Sequence, residues 1–503
     1  MFNFLLKKKK KTDVLLIFCP VWHPGFPNVG LGAIDIFLRK HGIATEILDL
    51  NIETYKNAPF QARHFWDDRE SYYWMRDDLI TNTIVQTKIN VTTLVNKILE
   101  FDAPVIAFSV NMANQKITET LTKLVKQKSP EKKIIWGGPN YANELDPGRP
   151  DYSIVDAAVI GEGEIPFIEL LFLYRDGELP THIRKEAICL NNSHVLQDEK
   201  NRIYGAQYVF NKTMFLYTPG RYIIDINKVP YPDYKGFPIN KYIGQSFSFM
   251  VTRGCIFKCK FCCDHIRGLQ YRYRNPESII NEISNAVKNF KKKNFVFHDS
   301  AINSKMEMLI NMCELLIKHK LNKPWSCLAF PIKKMKPEVL HLMKEAGCYQ
   351  ISYGLESGSN QVLKLMGKPF NLETAEEVIK NTHNTGIQAK FNIITGFPGE
   401  TEENHKESLE FIKRNRNYIY AIGALNTCDV LAGSILWENR YSIFTKYVEE
   451  ESSFWELNDL TLDVRKKRFK EIVELTHQLN IKIEIYNQPE IYDAVINNSK
   501  TNI

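Results

Sequence analysis

The chain has 503 residues, a formal net charge of +7 and an ordinary globular composition of 44% hydrophobic and 24% charged residues, enough for about three domains. Ten cysteines, four of them between positions 255 and 263 and the rest isolated, form no disulfide framework and fit a reducing cytoplasm. No apolar run approaches the ~20 residues that span a bilayer, and the basic runs at 7–11 and 465–468 lack the interleaved aromatics of a nucleic-acid surface. Residues 1–11 read as a solvated basic arm, and Arg465–Arg468 as an exposed helix face.

The apolar run Val14–Phe18 stops at Pro20, too short for a signal sequence, and reads as a buried strand. A proline-rich loop, 20–27, leads through Pro27-x-x-Gly30-Leu-Gly32 into an amphipathic helix with Ile34, Phe37 and Leu38 on one face, closed by His41-Gly42. Ile43–Leu50 is the next strand. Residues 52–95, rich in aromatics (Phe65, Trp66, Tyr72, Tyr73, Trp74), read as a helical insertion whose rings pack a core. The alternation then resumes: strand Val105–Val110, helix Thr118–Lys128, strand Lys133–Trp136, strand Ala157–Ile160 and helix Pro166–Tyr174. Strands alternating with helices imply a parallel sheet covered on both faces. Ligands bind at the carboxyl ends of such strands. Ser109, Gly137-Gly138-Pro139 and Gly161-Glu162-Gly163 stand at three of those ends, although tight turns explain such glycines equally well. Residues 176–245 are turn-rich, with Pro230 and Pro232, and read as a linker over the surface.

Val251-Thr-Arg-Gly-Cys255-Ile-Phe-Lys-Cys259-Lys-Phe261-Cys262-Cys263 is the most informative stretch. Three cysteines stand at C-x-x-x-C-x-x-C spacing after a strand-like run, 247–251. Thiolates suit an iron–sulfur cluster, zinc or copper. Three cysteines leave one iron of a four-iron cluster open; a structural zinc site would take a fourth ligand from Cys263 or His265. Further strand–helix units follow. Asn275-Pro276-Glu277 starts a helix, 295–297 is a strand ending in His298-Asp299-Ser300, and helix Met306–Leu316 and strand Trp325–Ala329 come next. Helix Pro337–Ala346 precedes Ile351-Ser-Tyr-Gly-Leu-Glu356-Ser-Gly, with Val362-Leu-Lys-Leu-Met366-Gly-Lys368 behind it. Helix Glu373–Asn384 leads to Phe391-Asn-Ile-Ile-Thr-Gly396-Phe-Pro-Gly399-Glu400. Helix Glu403–Arg414 and strand Ile419–Leu425 complete six units. Residues 441–503 read as a mostly helical cap.

The cysteine stretch resembles the cluster motif of the radical SAM enzymes, and the segments around Glu356 and Gly396 resemble the fourth and fifth strands of their cores. The resemblance implies a partial (β/α)6 barrel over residues 246–440, with Cys255, Cys259 and Cys262 holding a 4Fe-4S cluster. Its open iron would chelate S-adenosylmethionine, contacted by Phe261, Asp299, Ser300, Glu356, Gly396 and Glu400. Reductive cleavage would yield a 5′-deoxyadenosyl radical, with a flavodoxin or ferredoxin as electron donor. Residues 12–175 resemble the doubly wound, Rossmann-like cobalamin-binding domain that precedes many such cores. Gly30, Gly32, Ser109, Gly137, Gly138, Pro139, Gly161, Glu162 and Gly163 would then approach cobalamin. The D-x-H-x-x-G motif that supplies a cobalt ligand in other cobalamin proteins is missing; His23 is the loop-borne histidine of that domain, and Asp264-His265-Ile-Arg-Gly268 has the wrong spacing in the wrong domain. The function implied is methylation of an unactivated carbon of an unidentified small molecule or peptide. Rearrangement or cyclisation with the same cofactors, and a non-catalytic metal-binding module, are the alternatives.

Overall fold

The computed structural model describes residues 12–139, 151, 153–180, 203, 206–210, 213–217, 222–244, 246–264, 270–290, 294–448 and 452–500. The chain divides after Gly244 into two compact units.

The first unit is built on a seven-stranded sheet. Its strands in chain order are β1 (Val14–Phe18), β2 (Thr45–Asp49), β3 (Val105–Ser109), β4 (Lys133–Gly137), β5 (Ala157–Val159), β6 (Ala206–Phe210) and β7 (Thr213–Tyr217). The spatial order is β2-β1-β3-β4-β5-β6-β7. The first five pair in parallel; the last two add antiparallel. This is a doubly wound order whose direction reverses between β1 and β3, the place where such sheets receive ligands. Every residue of β1 is buried, as a strand covered on both faces requires.

Helix Val29–Lys40 starts one turn earlier than its glycines imply, because the Asn28 side chain caps it by accepting from Leu31 N at 2.9 Å. Gly30 and Gly32 are therefore helical, not loop, residues. The insertion is helical as expected, and Phe65, Trp66 and Trp74 pack with Ile98, Phe108 and Trp136 in one core. The antiparallel pair β6–β7 lies inside the stretch expected to be irregular. Its two runs are five residues each, and no Asn-Gly or Asp-Gly dipeptide parts them, so the hairpin signal is missing. Residues 222–244 fasten onto this unit: Asp233 N donates to Gly32 O (3.4 Å), Ile243 N to Pro24 O (3.1 Å), and Tyr242 OH to the buried Asp49 carboxylate.

In the second unit the strands are β8 (Ser246–Phe249), the short pair β9 (Thr252–Arg253) and β10 (Arg272–Tyr273), β11 (Asn294–Phe297), β12 (Trp325–Ala329), β13 (Cys348–Glu356), β14 (Gln388–Thr395), β15 (Ala421–Thr427), the short pair β16 (Lys446–Tyr447) and β17 (Trp455–Glu456), and β18 (Lys482–Tyr486). The main sheet runs β8-β11-β12-β13-β14-β15-β18, and every neighbouring pair is parallel. The six expected strands are present in their expected succession, with helices between them. A seventh, β18, comes from the region expected to be a helical cap. Its Lys-Ile-Glu-Ile-Tyr alternation is a strand pattern that follows directly on the long helix Leu462–Gln478.

That helix also corrects the reading of Arg465–Arg468. Three residues apart, the two arginines share a helix face, and the face is the buried one. Only the lysines between them point outward. Among the described residues no helix is long and apolar enough to cross a membrane.

Candidate functional site at the carboxyl ends of the second sheet

The cysteine loop leaves the carboxyl end of β8 and is held at three points. Asp299, just after β11, is buried, and its Oδ1 accepts from Val251 N (3.0 Å), Thr252 N (2.5 Å) and Thr252 Oγ1 (2.6 Å). Lys260 N donates to Met366 O, and Leu436 N to Lys260 O, both at 3.0 Å. Asp299 thus braces the start of the loop through one carboxylate oxygen, a task that sequence reasoning did not give it; burial raises its pKa to about 6. Ser300 follows it, half-buried.

Cys259 is buried, and Cys255 and Cys262 are half-buried. The three gather with Phe257, Phe261, Phe330, Ile332 and Phe370 in one apolar group that Cys263, though buried, does not join. Burial pushes the Cys255 thiol up to about 11 and raises those of Cys259 and Cys262 as well. Thiols so placed become thiolates only against a cation, and metal coordination deprotonates them outright. Soft donors on one short loop, half open to solvent inside an aromatic shell, fit an iron–sulfur cluster. The zinc alternative rests on Cys263 or on His265, which lies outside the described residues.

Glu356 ends β13 with a φ of +75°, a left-handed conformation that a side chain adopts only under constraint. The pairing with β14 shifts register at this point, and Lys368 holds the side chain. Its ammonium bonds Gly354 O at 3.0 Å and Glu356 Oε1 at 3.3 Å. It lies 5.2 Å from the Phe261 ring centre and 4.8 Å from that of Phe330. Sequence reasoning noted Lys368 in a motif but gave it no role; its burial is invisible in a pattern where lysine ordinarily faces water.

At the end of β14, Gly396 has a φ of +69° and lies against Arg465. Its N–H donates to Glu400 Oε2 at 2.6 Å, and Arg468 donates to the same oxygen at 2.9 Å. Burial lifts Glu400 to about 7 despite the arginine. The Glu400 carboxylate therefore locks the turn from inside. Phe397 reaches the Phe261 ring, with centres 6.4 Å apart, so this turn and the cysteine loop meet. Of the expected S-adenosylmethionine contacts, Phe261, Glu356 and Gly396 stand together around the cysteine loop; Asp299 and Glu400 support backbone.

In the first unit, Ser109, Gly137, Gly138, Pro139, Gly161, Glu162 and Gly163 do lie at the carboxyl ends of β3, β4 and β5. Several are explained by packing. A Cβ on Gly138 would sit 2.5 Å from Val110 O, one on Gly32 3.1 Å from Asp233 O, and one on Gly163 3.2 Å from Ile34 Cδ1. The Glu162 carboxylate accepts from Ile223 N at 2.8 Å. Trp22 (38%) and Met112 (58%), in the segments that follow β1 and β3, are exposed. Trp22 is fixed there, since its N and O both bond the Asn51 side chain at 3.0 Å. His23 Nδ1 accepts from Gly25 N at 3.1 Å. A neutral imidazole accepting at Nδ1 carries its proton on Nε2, so His23 as held offers no lone pair to a metal.

A family profile described as the radical SAM superfamily matches residues 249–412, which contain the cysteine loop and the ends of β13 and β14. Residues 249–412 therefore carry a radical SAM domain. It is 25% identical to a cytidylyl-2-hydroxyethylphosphonate methyltransferase of Streptomyces wedmorensis, over 85% of this chain and 80% of that one. It is also 25% identical to an uncharacterized methyltransferase of Pyrococcus horikoshii, over 63% of this chain and 65% of that protein's length. Among solved structures, the cobalamin-dependent S-adenosylmethionine radical enzyme OxsB with aqua-cobalamin and S-adenosylmethionine bound matches 98% of this chain and 71% of its own, with a TM-score of 0.67 at 17% identity. The radical S-adenosylmethionine methyltransferase TsrM of Kitasatospora setae matches 86% of this chain and 77% of its own, with a TM-score of 0.63 at 15% identity. At such identities the structural likeness speaks for the fold.

Proposed function

We propose that this protein is a cobalamin-dependent radical SAM methyltransferase acting on an unactivated carbon. The observation that carries the reading is the cysteine loop itself: three thiols in an aromatic shell at the head of an open parallel sheet, with Glu356 and the Gly396 turn at the ends of neighbouring strands. When bound, the cluster supplies one-electron reduction of S-adenosylmethionine and cobalamin supplies methyl transfer. The chain's own part is binding and orientation. Cys255, Cys259 and Cys262 hold the cluster, Glu356 takes the polar groups of S-adenosylmethionine, the Phe261 ring offers an apolar face to its adenine, and the Gly396 turn lets backbone approach it. Residues 12–244 form the cobalamin-binding part, supported by the doubly wound order and the exposed Trp22 and Met112 after β1 and β3.

Methyl transfer is supported by the names of relatives matched over most of the chain. Cyclisation is the second reading, favoured by 24% identity over 67% of the chain to an anaerobic magnesium-protoporphyrin IX monomethyl ester cyclase of Rubrivivax gelatinosus. The substrate is a small molecule or peptide, the electron donor a flavodoxin or ferredoxin, and the compartment a reducing one, in keeping with the free described cysteines. Anaerobic protein loaded with iron, sulfide and cobalamin, given a low-potential chemical reductant and methyl-labelled S-adenosylmethionine, tests the reading. Label on the protein-bound cobalamin together with S-adenosylhomocysteine is expected. A protein that retains no cobalamin, or leaves it unlabelled, refutes the methyltransferase.

A further inference from the structure

Lys368 stands out because nothing in the reading above requires a buried cation there. Its side chain is 1% exposed, and burying an ammonium is costly unless partners replace water. Two partners are the Gly354 carbonyl and the Glu356 carboxylate; the faces of Phe261 and Phe330 supply cation–π attraction on either side. Gly354 leaves room for this arrangement, since a Cβ there would lie 3.1 Å from Glu356 Oε1 and 3.6 Å from Lys368 Nζ. The same two rings belong to the apolar group that holds the three cysteines. The lysine's own segment is tied to their loop, through Lys260 N to Met366 O at 3.0 Å and through Gly367, where an added Cβ would lie 3.5 Å from Lys258 O. An ammonium has three donors, and two are used on Gly354 and Glu356. The ammonium thus lies against the loop that carries the three cysteines, at the face of Phe261.

We propose that Lys368 is a positioning residue that sets the redox behaviour of the cluster: its caged ammonium places a fixed positive charge beside the cysteine loop and holds the Glu356 carboxylate. Reduction adds one electron, and one negative charge, to a cluster held by three thiolates. A nearby cation and hydrogen bonds to sulfur stabilise that added charge and raise the potential. The electron comes from outside, from a flavodoxin- or ferredoxin-type donor or from dithionite in the test. Lys368 neither gives nor takes a proton in the step.

This inference rests on the iron–sulfur reading, and its test separates the two. Parent, Lys368→Met, Lys368→Arg and Glu356→Gln proteins are loaded with iron and sulfide, and their clusters are titrated with dithionite under redox mediators, without S-adenosylmethionine, and followed by electron paramagnetic resonance. At the poise where the parent is half reduced, Lys368→Met is expected to show a reduced-to-oxidised ratio about tenfold lower, a shift of ~59 mV for one electron. Lys368→Arg, which keeps the charge, is expected to stay near the parent. Glu356→Gln, which removes the opposing charge, is expected to shift the other way, and this arm holds should Lys368→Met fail to load. Parent and Lys368→Met titrating together, or Glu356→Gln unmoved or shifting in the same direction as Lys368→Met, would overturn the proposal. A parent that takes up no cluster would overturn the underlying reading instead.

Discussion

Replacing Gly396 by alanine should damage the second unit more than its single added methyl implies. The residue sits at a φ of +69°, where an L side chain costs about 1–2 kcal/mol. Its Cβ would lie 2.1 Å from Cγ and 2.6 Å from Cδ of Arg465, so that side chain must move. Arg465 is not free to do so. Its guanidinium donates to Cys428 O (3.1 Å), Ser453 O (2.9 Å) and Trp455 O (2.7 Å) and lies 3.9 Å over the Trp455 ring. Losing one charged hydrogen bond adds about 1.5–3 kcal/mol, giving a total of ~2.5–5 kcal/mol. Gly399 is the control. Its φ is +90°, but its Cβ would meet only the end of Leu365, at 3.0 Å, so Gly399→Ala should cost about 1–2 kcal/mol. Urea unfolding followed by circular dichroism reads both. A Gly396→Ala loss below ~1 kcal/mol, or one equal to that of Gly399→Ala, would refute the reasoning, because the clash with Arg465 is its main component.

Cys255→Ala, Cys259→Ala and Cys262→Ala should each lose iron and sulfide after anaerobic loading, while Cys263→Ala keeps both. Retention by Cys262→Ala with loss by Cys263→Ala would put the ligand register one residue off. The Nδ1 bond to Gly25 makes His23 a poor cobalt ligand, so bound cobalamin should show a base-off spectrum that His23→Ala leaves unchanged. A spectral change in that variant would show that the ring turns over to reach the metal. Glu400, raised from 4.5 to about 7 by burial, binds its proton more tightly folded than unfolded. Its contribution to stability is therefore full below pH ~4.5 and is lost as pH rises through about 7. Glu400→Gln should flatten the fall in unfolding free energy between pH 5.5 and 7.5 relative to the parent, and equal slopes would contradict the assignment.

Much of this was legible in the sequence because local signals agreed. Strand and helix succession, the cysteine spacing, the Asn275-Pro276 helix start and the aromatic core of the insertion all follow from patterns within a few residues. What the pattern hid depends on contacts across long separations. Lys368 looks like any surface lysine until Gly354, Glu356, Phe261 and Phe330 are brought around it. Arg465 and Arg468 read as a solvated basic run, yet their three-residue spacing turns both inward, one against Gly396 and one onto Glu400. Asp299 and Glu400 were placed correctly at strand ends, but their carboxylates are bound to backbone of the cysteine loop and of the Gly396 turn. The β6–β7 hairpin lacks an Asn-Gly or Asp-Gly turn to mark it, and the five-residue alternation of β18 is short and follows directly on a long helix.

The central claim is that the three cysteines equip this sheet to cleave S-adenosylmethionine reductively. Anaerobically loaded protein, mixed with S-adenosylmethionine and dithionite and assayed by mass spectrometry for 5′-deoxyadenosine and methionine, tests it most directly. The account predicts that both products form with the parent and that neither forms with Cys259→Ala. Loaded parent protein that yields no 5′-deoxyadenosine, or a Cys259→Ala variant that yields as much as the parent, would contradict it.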